Sequence, residues 1–321
     1  MKKIIIALLL SVNVNAQQDY SPLYFCTAAD TEHFAWLKTL IGSIHATNFD
    51  HTAEIAVYNL GFTQEEIALL NTMEKVKIYD VEMTHPDLLK KFVVRSYGRQ
   101  SRGWYAWKPV AIKQALDMFP YVLFLDAGCV VLKPLDNLFQ HIQQNGYFLF
   151  GSHYMMRYYT TKTVAQLFNL YDQDKHHILN MAQTESNIQG ICKSHTLAYE
   201  KYLLPAYEMS KNLHAYFADD GTCPHGFGMG RHDQTVASIL AHLLGMKVHT
   251  GYTCPTQIKL HINNEKIPFH INTHNWNWNH EKCRQEYDDS KPIPSDTDIF
   301  TQSKGRINCE QSIVYKKQNV Q

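Results

Sequence analysis

The chain has 321 residues, 45% of them apolar, enough to bury one large core or two small ones. Lys plus Arg and Asp plus Glu balance at 30 each, which excludes both a bulk basic field for nucleic acid and a polyacidic tail. The 18 histidines stand mostly alone, and a lone His is more often surface or core than ligand.

Lys2-Lys3, the apolar run Ile4–Val12 and the small residues before Gln17 read as a secretory signal peptide over 1–16. That run is far shorter than the ~20 residues a spanning helix needs, and no later segment is long and apolar enough either. The expectation is an exported protein without a transmembrane segment: periplasmic or secreted, or lumenal in the ER–Golgi of a eukaryote. Seven cysteines allow disulfides with one left over. Cys26 and Cys129 lie in apolar strand contexts and read as core thiols, while Cys223, Cys254, Cys283 and Cys309 are bridge candidates.

Leu23–Ala28 reads as a first buried strand, and Asp30 or Thr31 as the cap of a helix with Phe34, Leu37, Ile41 and Ile44 inward. Glu54–Asn59 is a second strand. Thr63 and Glu66 form a capping box opening a helix through Leu70, and Val76–Val81 is a third strand. The β-α-β-α-β order favours a largely parallel sheet. From Arg99 to Pro109 two arginines, a lysine, two tryptophans and a tyrosine suit an anionic, planar ligand. Equally, Trp104 and Trp107 can anchor the following helix in the core.

Tyr121–Pro134 places two apolar runs around Asp126-Ala127-Gly128. Such runs mark a strand covered on both faces, and a carboxylate at its end lies where open α/β sheets collect ligands. A hard cation bridging a diphosphate needs only one or two protein carboxylates. Asp-Ala-Gly is also ordinary turn chemistry. Pro134–Asn145 then reads as an amphipathic helix and Tyr147–Phe150 as a strand, followed by a helical excursion over the sheet edge to Thr184. Glu185–Ile191 is polar up to Gly190 and reads as a loop with a tight turn, and Ser194–Asn212 as a helix. Gly226–Gly230 lacks the spacing of a phosphate-binding loop. Asp233-Gln234 opens an apolar helix, with Asp233 a natural N-cap. Lys247–Gly251 reads as a strand, His270 and His274 stand four apart among Asn and Trp, and periodicity fails after Cys283.

The Asp126 stretch resembles the metal-binding segment of GT-A nucleotide-sugar glycosyltransferases, where an Asp-x-Asp lies between hydrophobic runs. With Lys133-Pro134-Leu135 it is most similar to the retaining, family 8-like group. It departs at Gly128, leaving one carboxylate where the family typically has two. The resemblance extends through several short motifs from about Leu23 to Trp276. It implies an α/β, GT-A (Rossmann-like) fold with a mixed, mainly parallel sheet and helices on both faces. The domain would cover 17–281 and a polar tail 282–321. It implies transfer of a hexose from a nucleotide diphosphate sugar, a UDP-sugar, to a hydroxyl of a carbohydrate, protein or lipid-linked glycan, with retention and Mn²⁺ or Mg²⁺. By the same resemblance Thr27 and Ala28 touch the base, Lys108 and next Arg102 hold the donor, and Asn187 and Gln189 bond sugar hydroxyls. Asp233 orients donor or acceptor, Gln234 lies near the anomeric carbon, and Asp126 with His270 or His274 holds the metal. A second reading is an exported sugar-binding protein of the same fold without catalysis, and a third a metal hydrolase on His270 and His274.

Overall fold

The computed structural model describes residues 22–94, 99–223, 231–249, 258–262, 265–269, 271–272 and 309–316. Residues 1–16, read above as a signal peptide, and Gly226–Gly230, Cys254, His270, His274 and Cys283 lie outside them. Among the described residues the strands are, in order, β1 Leu23–Ala29, β2 Thr52–Asn59, β3 Val76–Asp80, β4 Lys91–Val94, β5 Arg99–Arg102, β6 Tyr121–Leu125, β7 Val130–Val131, β8 Tyr147–Met155, β9 Ala182–Cys192, β10 Ile258–Ile262, β11 Glu265–Phe269 and β12 Ile271–Asn272. Six of them form the main sheet in the order β3-β2-β1-β6-β9-β8. β1, β2, β3 and β6 pair in parallel, whereas β9 runs antiparallel to both β6 and β8. Only one of the six strands is therefore reversed, and the expected α/β, mainly parallel arrangement is what the chain adopts.

Alternation along the strands puts a core on each face of the sheet. Phe25, Ile55, Val57, Leu123 and Leu125 point to one side with the Phe34–Asn48 and Asp136–Asn145 helices. Cys26, Ala56, Tyr58, Val122 and Phe124 point to the other with the Trp107–Met118 and His232–Leu243 helices. Both faces being covered explains the unbroken apolar runs. Thr63 and Glu66 exchange both capping-box hydrogen bonds ahead of the Gln64–Asn71 helix. Among the described residues no helix is long and apolar enough to cross a membrane.

Several expectations are corrected. Glu185–Ile191 is no loop but the interior of β9, with Gly190 opposite Leu123 and Phe148. A Cβ on Gly190 would lie 2.3 Å from Ile142 Cδ1, so the missing side chain admits the Asp136–Asn145 helix to the sheet. The region read as one helix to Asn212 is a π-helical stretch, Leu197–Leu203, running into an α-helix at Leu204–Ser210. Asp30 makes no side-chain cap bond, and Asp233 lies inside the first turn of its helix rather than at the N-cap. At Lys247–Gly251 only an isolated bridge, His249 to Phe150, is formed among the described residues. Cys26 and Cys129 are buried in the core, as expected.

Part of the C-terminal region is docked. Ile313 enters the core, Val314 C=O accepts from Glu74 N–H at 2.8 Å, and Lys316 N–H donates to Thr72 C=O at 2.7 Å. His45 is buried beneath this segment, its Nδ1 accepting from Val314 N–H at 2.9 Å and its Nε2 facing Glu74 C=O at 3.1 Å. Burial, with Lys75 adding to it, brings its pKa down to about 4 against an opposing bond to Glu74. The unfolded chain takes this proton near 6.5, so stability present above that pH is lost as pH falls toward about 4. Urea unfolding at a series of pH values is expected to show this loss, with a shallower dependence in His45→Asn, whose amide oxygen can replace Nδ1.

Candidate active site

The carboxyl ends of β1 and β6 open on one edge of the sheet, where parallel α/β architectures place their ligands. Lys108, in the first turn of the Trp107–Met118 helix, is 2% exposed and reaches this edge. Its Nζ lies 3.0 Å from Asp126 Oδ1, 3.0 Å from Asp233 Oδ2 and 3.2 Å from the Ser186 carbonyl. An ammonium has three N–H donors, and each meets an oxygen. Burial alone would lower the lysine pKa, but the charges of Asp126 and Asp233 outweigh it and hold the group above its ordinary range. The rings of Phe124, Tyr105 and Trp107 stand 5.4 to 5.7 Å from Nζ and complete a low-dielectric wall.

The carboxylates arrive from different elements. Asp126 follows β6 directly, and its amide donates to Asn187 C=O in β9 at 2.9 Å, which fixes the strand end. Its side chain keeps 35% exposure, whereas that of Asp233 keeps 8%. Within this three-residue cluster of described residues, two carboxylates against one ammonium leave a formal charge of −1, and the Asp126 carboxylate is partly open to solvent. A hard cation fits that oxygen set when phosphate and water supply the remaining ligands. Gly128 contributes no carboxylate, although its position has room: a Cβ there would meet only Trp36, at 3.7 Å.

The approach to Lys108 is held in a sparsely populated conformation. Gly103, Trp104 and Tyr105 all have positive φ, at 49°, 46° and 63°. A Cβ on Gly103 would fall 2.1 Å from the Leu88 carbonyl oxygen, so only glycine passes there. Trp104 stacks on Phe92 at 3.8 Å, and both tryptophans belong to the core, as one reading of the Arg99–Pro109 stretch expected. Across the pocket His232 is also left-handed, with φ 47°, its Nδ1 facing Phe217 C=O at 2.8 Å and its ring 5.9 Å from that of Tyr105. Such non-glycine residues cost about 1–3 kcal/mol each and persist where packing over-determines them. They flank the Asp233–Lys108 contact on both sides.

The remaining sequence candidates divide into two groups. Gln189 lines the same cavity as Lys108 and Asp233, accepting from Tyr202 O–H at 2.9 Å and donating to Ser186 C=O at 3.3 Å. Asn187 Oδ1 and Gln234 Nε2 are buried without a hydrogen-bond partner among the described residues, and such groups call for one. Arg102, by contrast, turns to Asp30, with Nε 2.8 Å from Oδ2 and a further bond to Leu89 C=O. Burial would raise the Asp30 carboxyl, but His33, at 2.7 Å, and Arg102 together hold it well below the usual carboxylate range. Thr27 and Ala28 are buried in β1, and Thr27 Oγ1 also has no partner among the described residues. The Ser186 contact with Lys108 and the Arg102 contact with Asp30 have no counterpart in the sequence reading, since those partners lie 78 and 72 residues apart; only Asp30–His33 is a local pair.

No protein-family model matches the chain, and no curated protein matches it. Solved structures that align with it include the galactosyltransferase LgtC in complex with donor and acceptor sugar analogs, at 14% identity over 92% of this chain and 98% of that one, TM-score 0.46. Core-mannan synthase A (CmsA/Ktr4) from Aspergillus fumigatus, in a Mn/GDP form, aligns at 14% identity over 92% of this chain and 85% of the other, TM-score 0.49. The bifunctional glycosyltransferase WbbM aligns at 12% identity, TM-score 0.41, over 71% of this chain but only 38% of its own length. Likeness at these levels carries no argument about activity, which has to come from the side chains themselves.

Proposed function

We propose that the chain transfers a hexosyl group from a nucleotide diphosphate sugar, a UDP-sugar, to an acceptor hydroxyl, with retention of configuration. The supporting observation is the buried Lys108 ammonium bound to Asp126 and Asp233 at the carboxyl end of β6. Breaking the sugar–phosphate bond develops negative charge on the diphosphate, and the cluster meets it by offering the exposed Asp126 oxygens to a cation rather than by its own net charge. Lys108 acts as a positioning residue, because its donors already hold both carboxylates. Asp233 orients a sugar or acceptor hydroxyl, and the buried amide of Gln234 donates to the sugar near its anomeric carbon. Asn187 offers its unpartnered amide oxygen to a sugar hydroxyl. Retention keeps the acceptor on the face the phosphate leaves from, so a phosphate oxygen can receive its proton.

A Mn²⁺ or Mg²⁺ ion, when bound, would neutralise the leaving diphosphate. Asp126 is its ligand in this reading, with His270 or His274 as the further ligand the resemblance implies. The acceptor class (carbohydrate, protein or lipid-linked glycan) and export through the 1–16 segment complete the proposal.

Turnover of UDP-sugars with Mn²⁺ is expected in the wild type and to fall by at least about 100-fold in Asp126→Ala. Gly128 favours a second reading, a binding module of the same fold. That outcome would be a UDP-sugar raising Tm without any turnover. Activity that survives Asp126→Ala but is lost in His270→Ala would instead identify a metal hydrolase.

A further inference from the structure

Away from Lys108, two histidines and an aspartate converge from opposite ends of the fold. His85 and Asp87 belong to the turn after β3, and His214 to the Leu213–Tyr216 helix more than a hundred residues later. One ligand atom from each lies within 4.8 Å of the other two. Asp87 Oδ2 stands 2.8 Å from His214 Nε2, and the His85 and His214 rings meet edge to face with centroids 5.3 Å apart. Half-burial of His85 and Asp87 with exposure of His214 leaves one side of the cluster open to solvent.

We propose that His85, Asp87 and His214 bind one divalent ion of the zinc class, with water in the fourth position. Two imidazoles and one carboxylate suit Zn²⁺, whose tetrahedral bonds of ~2.0–2.1 Å place ligand atoms about 3.3 Å apart. The Asp87–His214 pair is already within that spacing, and His85, inside the 4.8 Å bound, has to close by at most about 1.5 Å. His85 Nδ1 now accepts the Asp87 amide N–H at 3.0 Å, and this bond is exchanged for the metal if Nδ1 is the ligating atom. The half-exposed His214 ring has the freedom to adjust. Its far side is walled by Trp104 and Phe92, at 5.3 and 5.8 Å, which shields the cluster from water on that flank. Lys90, 3.6 Å from Asp87 Oδ1, is 61% exposed and free to swing away.

The position gives the ion a structural task. The turn it grips ends in Leu88, whose carbonyl abuts Gly103, and Lys90, whose carbonyl accepts from Gly103 N–H at 2.9 Å. His214 in turn sits three residues before Phe217, which holds His232. Zinc here would tie together the two segments that keep Tyr105 and His232 left-handed. Its binding does not depend on the transferase reading.

The test is Zn²⁺ titration of full-length, EDTA-stripped protein by calorimetry, with bound zinc counted by elemental analysis after desalting. The expected result is one equivalent in Asp126→Ala, the background in which the metal site proposed at Asp126 takes no part. In His214→Ala and in Asp87→Asn that equivalent weakens by more than about 100-fold. Zinc should also raise Tm in the wild type but not in those two variants. A wild type that retains no zinc, or an equivalent unaffected by both substitutions, would overturn the assignment. Asp87→Asn keeps the side-chain shape, so a circular dichroism spectrum like the wild type's separates lost binding from lost folding.

Discussion

Replacing Lys108 with Met is expected to remove measurable sugar transfer and to destabilise the fold by about 3–5 kcal/mol. The methionine fills nearly the same volume, so the loss is one of charge. Without the ammonium, Asp126 and Asp233 share a pocket walled by Phe124, Trp107 and Tyr105 with no cation between them. A buried ion pair adds little over a well-packed apolar substitute when both partners are replaced together, whereas removing one leaves uncompensated charge. The triple replacement Lys108→Met, Asp126→Asn, Asp233→Asn should therefore recover most of the stability while staying inactive. Urea melts on the single and triple variants read the first half of this expectation, and UDP-sugar turnover the second. Equal stability of the single variant and wild type would show that Lys108 holds neither carboxylate.

Gly103→Ala is expected to cost more than about 3 kcal/mol, several times what an exposed glycine-to-alanine change costs. Two effects add. A φ of 49° is unfavourable for an alanine, and its Cβ would enter the Leu88 backbone, which has no soft side chain to yield. Relief requires moving either the Leu88 turn or the Trp104–Tyr105 segment, and the latter leads directly into Lys108. The variant should lose stability and activity together, measured by thermal unfolding and kcat/KM. Gly190→Ala makes a useful contrast. Its close neighbours are side-chain atoms of Ile142 and Phe148, so overpacking of about 1–3 kcal/mol is expected, and paired Ile142→Val should return part of it.

What could be read from the sequence follows the range of the forces involved. Local signals survived: the Thr63 capping box, the alternating apolar strands, and the unbroken runs of Leu23–Ala29 and Tyr121–Leu125. The family resemblance singled out Lys108, Asp126 and Asp233, which the fold joins. Where polarity was used as evidence for exposure, the reading failed. Ser186, Asn187 and Gln189 looked like loop residues, yet β9 buries them beside Lys108 because each finds or needs a polar partner there. Asp30 looked like a cap because it precedes a helix, while its actual partners depend on Arg102 folding back from β5. Arg102, read as a donor-binding residue, is drawn to that carboxylate. No pattern within a few residues records such a choice.

The docked segment around Ile313 has a further consequence for how the protein forms. Its hydrogen bond from Val314 to His45 joins positions 269 apart, and the Lys38–Glu310 ion pair joins positions 272 apart. Closing so long a loop is entropically costly before any contact rewards it, and topologies rich in distant pairings mature slowly. On a ribosome, the first strand–helix–strand unit would stay without its lid until the distant Glu310–Val314 segment has been made. During that interval the surface beneath Ile313 is open to chaperones and proteases, so the lifetime of the nascent chain depends on when that segment arrives.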